Sequence, residues 1–214
     1  VGHVTKDGSV AGPRALEHLV DVVLQFEGDR HGPLRLVRAV KNRYGPADEI
    51  GCFELTEDGI HGLPDPSGLF LSDRTNPVPG TCVTITVEGK RPLVAEVQAL
   101  IAPSSSPQPR RVTSGLDSSR TAMMLGILER RAGLSLSTAD CFVATVGGMR
   151  LLEPATDLAT ALAIVSSVKD ISLPSGLVAI GELGLAGDIR RITGLEKRLD
   201  EAARLGFTDA IIPT

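Results

Sequence analysis

Alternation of apolar and polar residues predicts strands in the first half of the chain. Residues 20–26 are typical of a strand, and residues 34–41 of its antiparallel partner. Residues 81–101 alternate with a period of two on both sides of a Gly-Lys-Arg turn, which predicts a hairpin. Pro13 suits the first turn of a short helix near residues 15–19.

The second half alternates between helical and strand patterns. Apolar residues recur at helical spacing over residues 123–128, and Gly133 suits the end of that helix. Thr156 is the expected N-cap of a second helix, and a third begins near residue 195 and ends near Gly206. Strands are expected at residues 111–113, 141–146, 149–152, 177–183, 188–192 and 210–212. This order predicts a compact α/β domain.

Proline and serine concentrate between the two halves. Residues 102–109 contain three prolines and three serines in eight positions, a composition that disfavours both helix and strand. The sequence therefore predicts a linker over residues 103–111, with one domain at 1–102 and another at 112–214. The predicted hairpin at 81–101 falls in the first of these domains.

The composition is that of a globular chain. Its 214 residues suffice for one large or two small domains, and 42% of them are hydrophobic. The net charge of −4 excludes a wholly basic DNA-coating protein. With five Phe, one Tyr and no Trp, the chain is poorly equipped to bind single-stranded nucleic acid by aromatic stacking.

Cysteine spacing and hydropathy exclude further classes. The three cysteines form no C-x-x-C pair, so we expect buried thiols rather than a disulfide framework or a metal site. No apolar run approaches the ~18 residues of a membrane span, and we expect a cytoplasmic protein with no membrane partner. The first residue is Val1 rather than Met, and residues 1–4 are typical of a strand exit, which predicts further residues upstream.

A basic signature ends the predicted strand at residues 34–41. Residues 41–45 read Lys-Asn-Arg-Tyr-Gly, and residues 30–43 contain five cations and no acid. If the strand continues, Lys41 and Arg43 share a face, and such a cation pair suits a phosphate or a transition-state charge. The alternative is a solvated basic strand.

A glycine-rich polar loop over residues 2–14 is the second candidate site. It follows a strand exit and precedes the predicted helix, a position at which loops often contact ligands. It is not a P-loop, because the spacing G-x-x-x-x-G-K-[ST] occurs nowhere in the chain. The chain alone is therefore not expected to bind a nucleoside triphosphate, and an ordinary surface loop is the alternative.

These two segments together closely resemble the bacterial RadA (Sms) family of DNA recombination and repair proteins, and the resemblance covers the whole chain. It implies an α/β fold in which residues 1–102 are the C-terminal part of a RecA-like ATPase domain. Residues 112–214 would form a Lon protease-like, ribosomal S5-like domain. The zinc finger and the Walker A and B segments of the family would lie upstream.

The resemblance also implies roles for individual residues. The glycine-rich loop matches a DNA-facing loop, which makes Lys6 and Arg14 candidate phosphate contacts. Lys41 and Arg43 match signature residues that act across a subunit interface, on a neighbouring nucleotide or on DNA, as an arginine finger does. The family usually has phenylalanine where this chain has Tyr44, so an aromatic ring is kept.

The residues needed for Lon-type proteolysis are absent by the same resemblance. Lon enzymes use a serine nucleophile that a lysine deprotonates. The serine position corresponds to Ala155 and the lysine position to Glu196. Lys197 lies about 100° farther round the helix, so a shift of one residue does not restore the dyad. Thr156 could act as a nucleophile, although its expected role is the N-cap.

Three arginine pairs stand out in the second half. They could line a ring channel and hold duplex DNA through phosphate contacts. The alternative is that they pair with nearby acids or lie solvated at the surface. The six residues are Arg110, Arg111, Arg130, Arg131, Arg190 and Arg191.

These observations predict part of an ATP-driven DNA recombination and repair motor. By resemblance, the complete protein would be a homohexamer that promotes branch migration with ATP and Mg²⁺, binds DNA and serves a strand-exchange recombinase. This chain alone is expected to hydrolyse nothing and to need no cofactor. The alternatives are a Lon-related peptidase and a pure assembly module without DNA contact.

Overall fold

The computed structural model describes residues 3–4, 10–11, 19–28, 33–47, 49–71 and 76–214. The chain divides into two compact units. The first comprises Val1–Pro64 with the turn Gly89–Arg91, and the second comprises Asp65–Glu88 and Pro92–Thr214.

The described part of the first unit is antiparallel β structure. Strands β1 and β2 pair with each other, and β3, β4, β5 and β6 form a four-stranded meander in chain order. The bounds are β1 His3–Val4, β2 Val10–Ala11, β3 Val22–Glu27, β4 Leu34–Asn42, β5 Ile50–Thr56 and β6 Gly59–Gly62.

The predicted pairing of two strands in this unit is confirmed. Strands β3 and β4 run antiparallel, from Val22 opposite Asn42 to Glu27 opposite Leu36. The register shifts after Val23, where Val40 is the extra residue on β4. Strands β5 and β6 were not expected, because glycines interrupt their alternation. Of the helix predicted near residues 15–19, all but Leu19 lies outside the described residues.

The second unit is a six-stranded mixed sheet with helices. The strand order is β14-β11-β7-β8-β10-β9, and β12 and β13 form a separate short hairpin. The bounds of the strands are β7 Thr81–Glu88, β8 Arg91–Pro103, β9 Arg111–Ser114, β10 Ala139–Thr145, β11 Leu177–Ala179, β12 Glu182–Leu183, β13 Ile189–Arg190 and β14 Asp209–Ile211. The helices are α1 Ser67–Phe70, α2 Ser118–Ala132, α3 Asp157–Lys169 and α4 Leu195–Arg204.

Local sequence explains the ends of the main helices. The Asp117 carboxylate accepts the N–H of Arg120 and caps α2, and Gly133 ends that helix in the left-handed conformation, as predicted. Asp170 ends α3 with a φ of 53°, a position the sequence did not mark with glycine. The predicted strand at residues 149–152 is only a single bridge between Leu151 and Leu116.

Aliphatic side chains form the core of the second unit, as the shortage of aromatic residues requires. One cluster packs β7, β8 and β11 against α4 and the segment before α3. Its buried members are Val83, Ile85, Val94, Ala155, Val178, Ile180, Ala202 and Phe207. Four alanines in and before α3 are all buried, and their small side chains allow close packing there. They are Ala155, Ala159, Ala161 and Ala163.

The predicted domain boundary needs correction. The hairpin at 81–101 was assigned to the first domain, but β7 and β8 are central strands of the sheet in the second unit. Strand β8 pairs with β10 along seven residues, from Val97 to Pro103. The segment predicted as a linker, 103–111, instead contains the end of β8 at Pro103, a loop, and the start of β9 at Arg111. A Pro- and Ser-rich composition suits a loop inside a domain as well as a linker between domains, and the chain divides near Pro64.

The expected buried thiols are confirmed: Cys52, Cys82 and Cys141 are all free and buried. Burial raises the pKa of Cys82 to about 12, with a further contribution from the nearby Glu96 carboxylate. None of the helices in the described ranges is long and apolar enough to cross a membrane.

We predict that core burial along β8 sets the stability of the second unit. Leu93 is 2% exposed and Leu100, on the same strand, is 62% exposed. Leu93→Ala should lower the free energy of unfolding by about 2–4 kcal/mol, and Leu100→Ala by no more than about 0.5 kcal/mol. Urea unfolding followed by circular dichroism measures both, and equal losses would contradict this fold.

Candidate functional site

The basic signature lies where β4 ends and the chain turns away from the sheet. Lys41 and Asn42 are the last residues of β4, and Lys41 is half-buried opposite Val23. Arg43 and Tyr44 follow in the turn, and both are exposed. The strand therefore ends one residue before Arg43.

Asp21, the residue before β3, anchors this turn. Its main-chain oxygen accepts the N–H of Arg43 at 3.0 Å. Its carboxylate accepts Nη1 of Arg43 through Oδ1 at 3.0 Å and the hydroxyl of Tyr44 through Oδ2 at 3.0 Å. Because the side chains of Asp21 and Arg43 are 45% and 62% exposed, the ion pair itself contributes at most about 1 kcal/mol. Its main effect is to orient the two side chains.

The side chain of Asn42 also stabilises this turn through two hydrogen bonds. Its Oδ1 accepts the N–H of Tyr44 at 3.1 Å, and its Nδ2 donates to the carbonyl of Pro46 at 3.3 Å. This is an Asx-type turn, in which a side chain replaces a main-chain acceptor. The signature is thus a defined turn that presents the ring of Tyr44, 81% exposed, beside Arg43.

This arrangement can hold an anion. A guanidinium has five N–H donors in a planar fork, and at Arg43 only Nη1 contacts Asp21. Arg43 can therefore keep Asp21 and still donate to a phosphate. The other cations of the basic run have local roles where the structure describes them. Nη1 of Arg35 donates to the carbonyl of Leu34, and Arg38 lies 3.7 Å from Glu27.

The second candidate, the loop at residues 2–14, is described only at β1 and β2. Lys6 and Arg14 lie outside the described residues.

In the second unit, the two positions that were matched to the Lon-type dyad by resemblance alone lie in different environments. Ala155 is buried in a short 3₁₀ turn, Pro154–Thr156, that leads into α3. Glu196 is exposed in the first turn of α4, and Lys197 beside it is exposed as well. Neither matched position offers a nucleophile or an amine.

Thr156 is not placed to act as a nucleophile. It is 3% exposed, and its hydroxyl donates to the carbonyl of Glu153 at 2.9 Å. It precedes α3 as predicted, but its side chain makes no capping hydrogen bond to the helix.

Sequence reasoning missed a buried ion pair at this place. Arg198 on α4 donates through Nη1 and Nη2 to the two carboxylate oxygens of Glu153, at 2.6 and 2.7 Å. Nη1 of Arg198 also donates to the carbonyl of Ile85, and Glu153 accepts the N–H of Val87. The signal was available in α4, because Arg198 falls on the same helix face as Leu195 and Ala202, and an arginine on a core face needs an acid.

Burial and hydrogen bonding act in opposite directions on Glu153. Burial raises its pKa, while hydrogen bonds from Arg198 and Thr86 lower it, and the result is a pKa below the usual range. Glu153 therefore stays ionised and paired at neutral pH.

The three arginine pairs are not equivalent. Arg110 binds Asp140 through Nε and Nη2, at 2.9 and 2.7 Å, and lies over the ring of Phe142. Hydrogen bonds from the main chain and side chain of Arg110 lower the pKa of Asp140 to about 2. Arg111 donates to the carbonyls of Leu136 and Ala139.

The other two pairs lie on different elements. Arg190 on β13 binds Asp188 at 2.7 Å, and Arg191 approaches the carbonyl of Thr214 at 3.5 Å. Arg130 and Arg131 are exposed in the last turn of α2, where positive charge is favourable. These two arginines are the best placed of the six to meet a phosphate backbone.

A second ion pair, also unforeseen, joins α2 to α3. Arg120 donates to both carboxylate oxygens of Asp157, and Asp157 also accepts the N–H of Leu183 at 3.0 Å. Glu182 and Arg190 complete the charged side of a cavity of about 180 Å³. Nowhere in the described ranges do three or more His, Cys, Asp or Glu side chains group as they would to hold a metal ion.

Comparison with known proteins supports the resemblance over the whole chain. The DNA repair protein RadA of Mycolicibacterium smegmatis is 60% identical over 213 residues, which cover 100% of this chain and 46% of the relative. RadA of Mycobacterium tuberculosis H37Rv is 59% identical and RadA of Streptococcus pneumoniae R6 is 49% identical, with 44% and 51% of each relative covered. The chain thus spans about half the length of the curated relatives it matches.

A family profile matches part of the second unit. Residues 148–214 match the family described as subunit ChlI of Mg-chelatase. The matched segment includes Ala155, Arg198 and Glu196 but not the basic signature.

We predict that the Glu153–Arg198 pair stabilises the second unit in a pH-dependent way. Glu153→Gln should lower the free energy of unfolding at pH 7 by about 3 kcal/mol, because it leaves a buried guanidinium without its anion. Since the folded pKa of Glu153 is lowered, this stabilisation is present above the unfolded pKa near ~4.3 and is lost as pH falls through the folded value.

Urea unfolding at pH 7 and near pH 3 tests this prediction. The difference in the free energy of unfolding between the parent chain and Glu153→Gln should be smaller near pH 3 than at pH 7. Asp188→Asn, which removes the exposed partner of Arg190, is the matched control and should leave the unfolding midpoint almost unchanged at pH 7. If this difference in unfolding free energy stays constant with pH, the ion pair is not the origin of the stabilisation.

Proposed function

This chain belongs to the RadA family of DNA repair proteins by similarity over its whole length, and on that premise we propose that it is part of an ATP-dependent DNA recombination and repair motor. The observation that carries the proposal is the signature turn, in which Asp21 and Asn42 hold Arg43 and Tyr44 at the exposed end of β4. The proposed role of the complete protein is branch migration of recombination intermediates.

Lys41 and Arg43 are the proposed acting residues of the first unit. Each brings a positive charge to the end of one strand, and the turn orients Arg43 without using all of its donors. In a homohexamer they would stabilise negative charge on a nucleotide, or on DNA phosphate, at the neighbouring subunit. Lys6 and Arg14 are proposed as DNA contacts on the basis of the resemblance alone.

ATP and Mg²⁺ belong to the proposal for the complete protein. The P-loop spacing does not occur in this sequence, so we assign the nucleotide pocket to other residues of the complete protein. The bound nucleotide would supply the phosphoryl group whose charge Lys41 and Arg43 stabilise. The chain alone is then expected to hydrolyse nothing.

For the second unit we propose a Lon protease-like scaffold that assembles the ring and contacts DNA without proteolysis. Buried Ala155, exposed Glu196 and the hydrogen-bonded hydroxyl of Thr156 support the loss of peptidase chemistry. The exposed Arg130 and Arg131 support DNA contact. A strand-exchange recombinase as partner and a cytoplasmic location complete the proposal.

We predict that Lys41→Ala in the complete protein abolishes ATP-dependent branch migration and leaves ring assembly intact. The variant removes one cation from a strand end that is not part of the aliphatic core. Branch migration of a labelled four-way DNA junction measures activity, and light scattering measures assembly. Lys90→Ala, which removes an exposed lysine outside the signature, is the control. Normal junction migration by Lys41→Ala would overturn the assigned role.

We predict a separate contribution of α2 to DNA affinity. Arg130→Ala should weaken duplex binding by the chain and reduce the slope of log affinity against log salt by about 1, the effect of losing one phosphate contact. Arg110→Ala and Arg190→Ala should change the slope less, because both arginines already bind acids in the same chain.

A gel-shift titration at several salt concentrations distinguishes the alternatives for the second unit. Arg204→Ala is the control, since Arg204 binds Glu201 and Asp65. If Arg130→Ala leaves the slope unchanged, the DNA role of α2 fails and the unit is better described as an assembly module.

A further inference from the structure

We infer that Asp21 is a positioning residue for the basic signature, holding Arg43 and Tyr44 in the orientation in which the signature acts. The inference rests on the proposed function, because the acting residue is Arg43. Asp21 lies 20 positions before Lys41 in the sequence, and the pairing of β3 with β4 brings its carboxylate to Arg43 and Tyr44.

The two side-chain contacts of Asp21 require that the backbone turns at Arg43. In an extended strand, consecutive side chains point to opposite faces of the sheet. Arg43 and Tyr44 are consecutive, yet both donate to the Asp21 carboxylate at 3.0 Å. They can share one acceptor because the chain leaves the strand conformation at Arg43. The carboxylate therefore selects the turned backbone over a continued strand.

The position of Asp21 is itself set by the sheet. The main-chain N–H of Arg43 donates a hydrogen bond to the carbonyl of Asp21, next to the strand pair formed by Val22 and Asn42. The carboxylate is thus placed by strand pairing rather than by a loop of its own. A group held this way can orient Arg43 with little further loss of conformational entropy.

The phenol of Tyr44 supplies the second donor. A phenylalanine at this position would keep the ring and lose the hydrogen bond to Asp21. Tyr44→Phe should therefore keep the main-chain and guanidinium contacts to Asp21, and Asp21→Ala should lose both side-chain contacts. The two variants separate the contribution of the hydroxyl from that of the whole carboxylate.

The contact can be measured without any enzymatic activity. Tyr44 is the sole tyrosine of the 214-residue chain, which has no tryptophan, so intrinsic tyrosine emission reports on this one side chain. A hydrogen bond from a phenol to a carboxylate quenches that emission. Asp21→Ala should therefore raise Tyr44 emission in the folded chain.

Glu27→Ala is the matched control for the emission measurement. Glu27 is the acid at the other end of β3, and it lies near Arg38 rather than the signature. The control should leave Tyr44 emission unchanged. Equal emission from Asp21→Ala and the parent chain would overturn the proposed contact, whatever the function of the protein.

The functional part is tested in the complete protein by DNA-stimulated ATP hydrolysis. Asp21→Ala should lower kcat about fivefold with little change in the KM for ATP, because it misorients a group that acts in the transition state. Asp21→Asn keeps one oxygen acceptor and should recover part of the loss. In the Arg43→Ala background, Asp21→Ala should cause no further loss.

The outcomes separate the inference from the proposed function. If Arg43→Ala keeps normal activity, the proposed role of Arg43 fails, while the emission measurement still decides whether Asp21 holds the turn. If Arg43→Ala loses activity and Asp21→Ala does not, the positioning role is wrong. If the two variants lower kcat additively, Asp21 acts independently of Arg43 and the inference is again overturned.

Discussion

Arg198 is 2% exposed, and a guanidinium removed from water needs an anion and further acceptors close by. Glu153 and the carbonyl of Ile85 provide them, and Glu153 in turn accepts the N–H of Val87. One charged pair thereby ties α4 to β7 and to the segment that leads into α3. The arrangement of these three elements in the second unit depends on satisfying that buried charge.

The same requirement bears on the chemistry of the second unit. A peptidase needs an accessible nucleophile next to a base, and here the residues around the start of α3 are committed to structural bonds. The hydroxyl of Thr156 donates to the main-chain carbonyl of Glu153, and Ala155 packs in the core. Arg198 donates to the carboxylate of Glu153. The observed contacts of these residues thus connect α4, β7 and the segment before α3.

The first unit uses a carboxylate in a different way. Asp21 is partly exposed, so its ion pair with Arg43 contributes little free energy and mainly fixes orientation. The paired arginines of the second unit fall into two groups, those that bind groups of their own chain and those that are exposed. Arg110, Arg111 and Arg190 hold acids or carbonyls of their own chain, and Arg130 and Arg131 remain directed to solvent. Clusters that look equivalent in the sequence thus have unequal capacity to meet a phosphate.

The sequence by itself determined the α/β class, the hairpin at β7 and β8 and the helices α2 to α4, because each follows from local periodicity and end signals. It also predicted the buried thiols, from the spacing of the three cysteines. The RadA resemblance, carried by short motifs, was likewise available from the chain alone.

Only the tertiary structure decided that the hairpin belongs to the second unit, since a strand pattern does not identify the strands it pairs with. It also revealed the pairs Glu153–Arg198 and Asp21–Arg43, which join residues 45 and 22 positions apart. Strand pairing and helix packing bring these distant residues together, and a local pattern that marks one member of such a pair does not identify its partner.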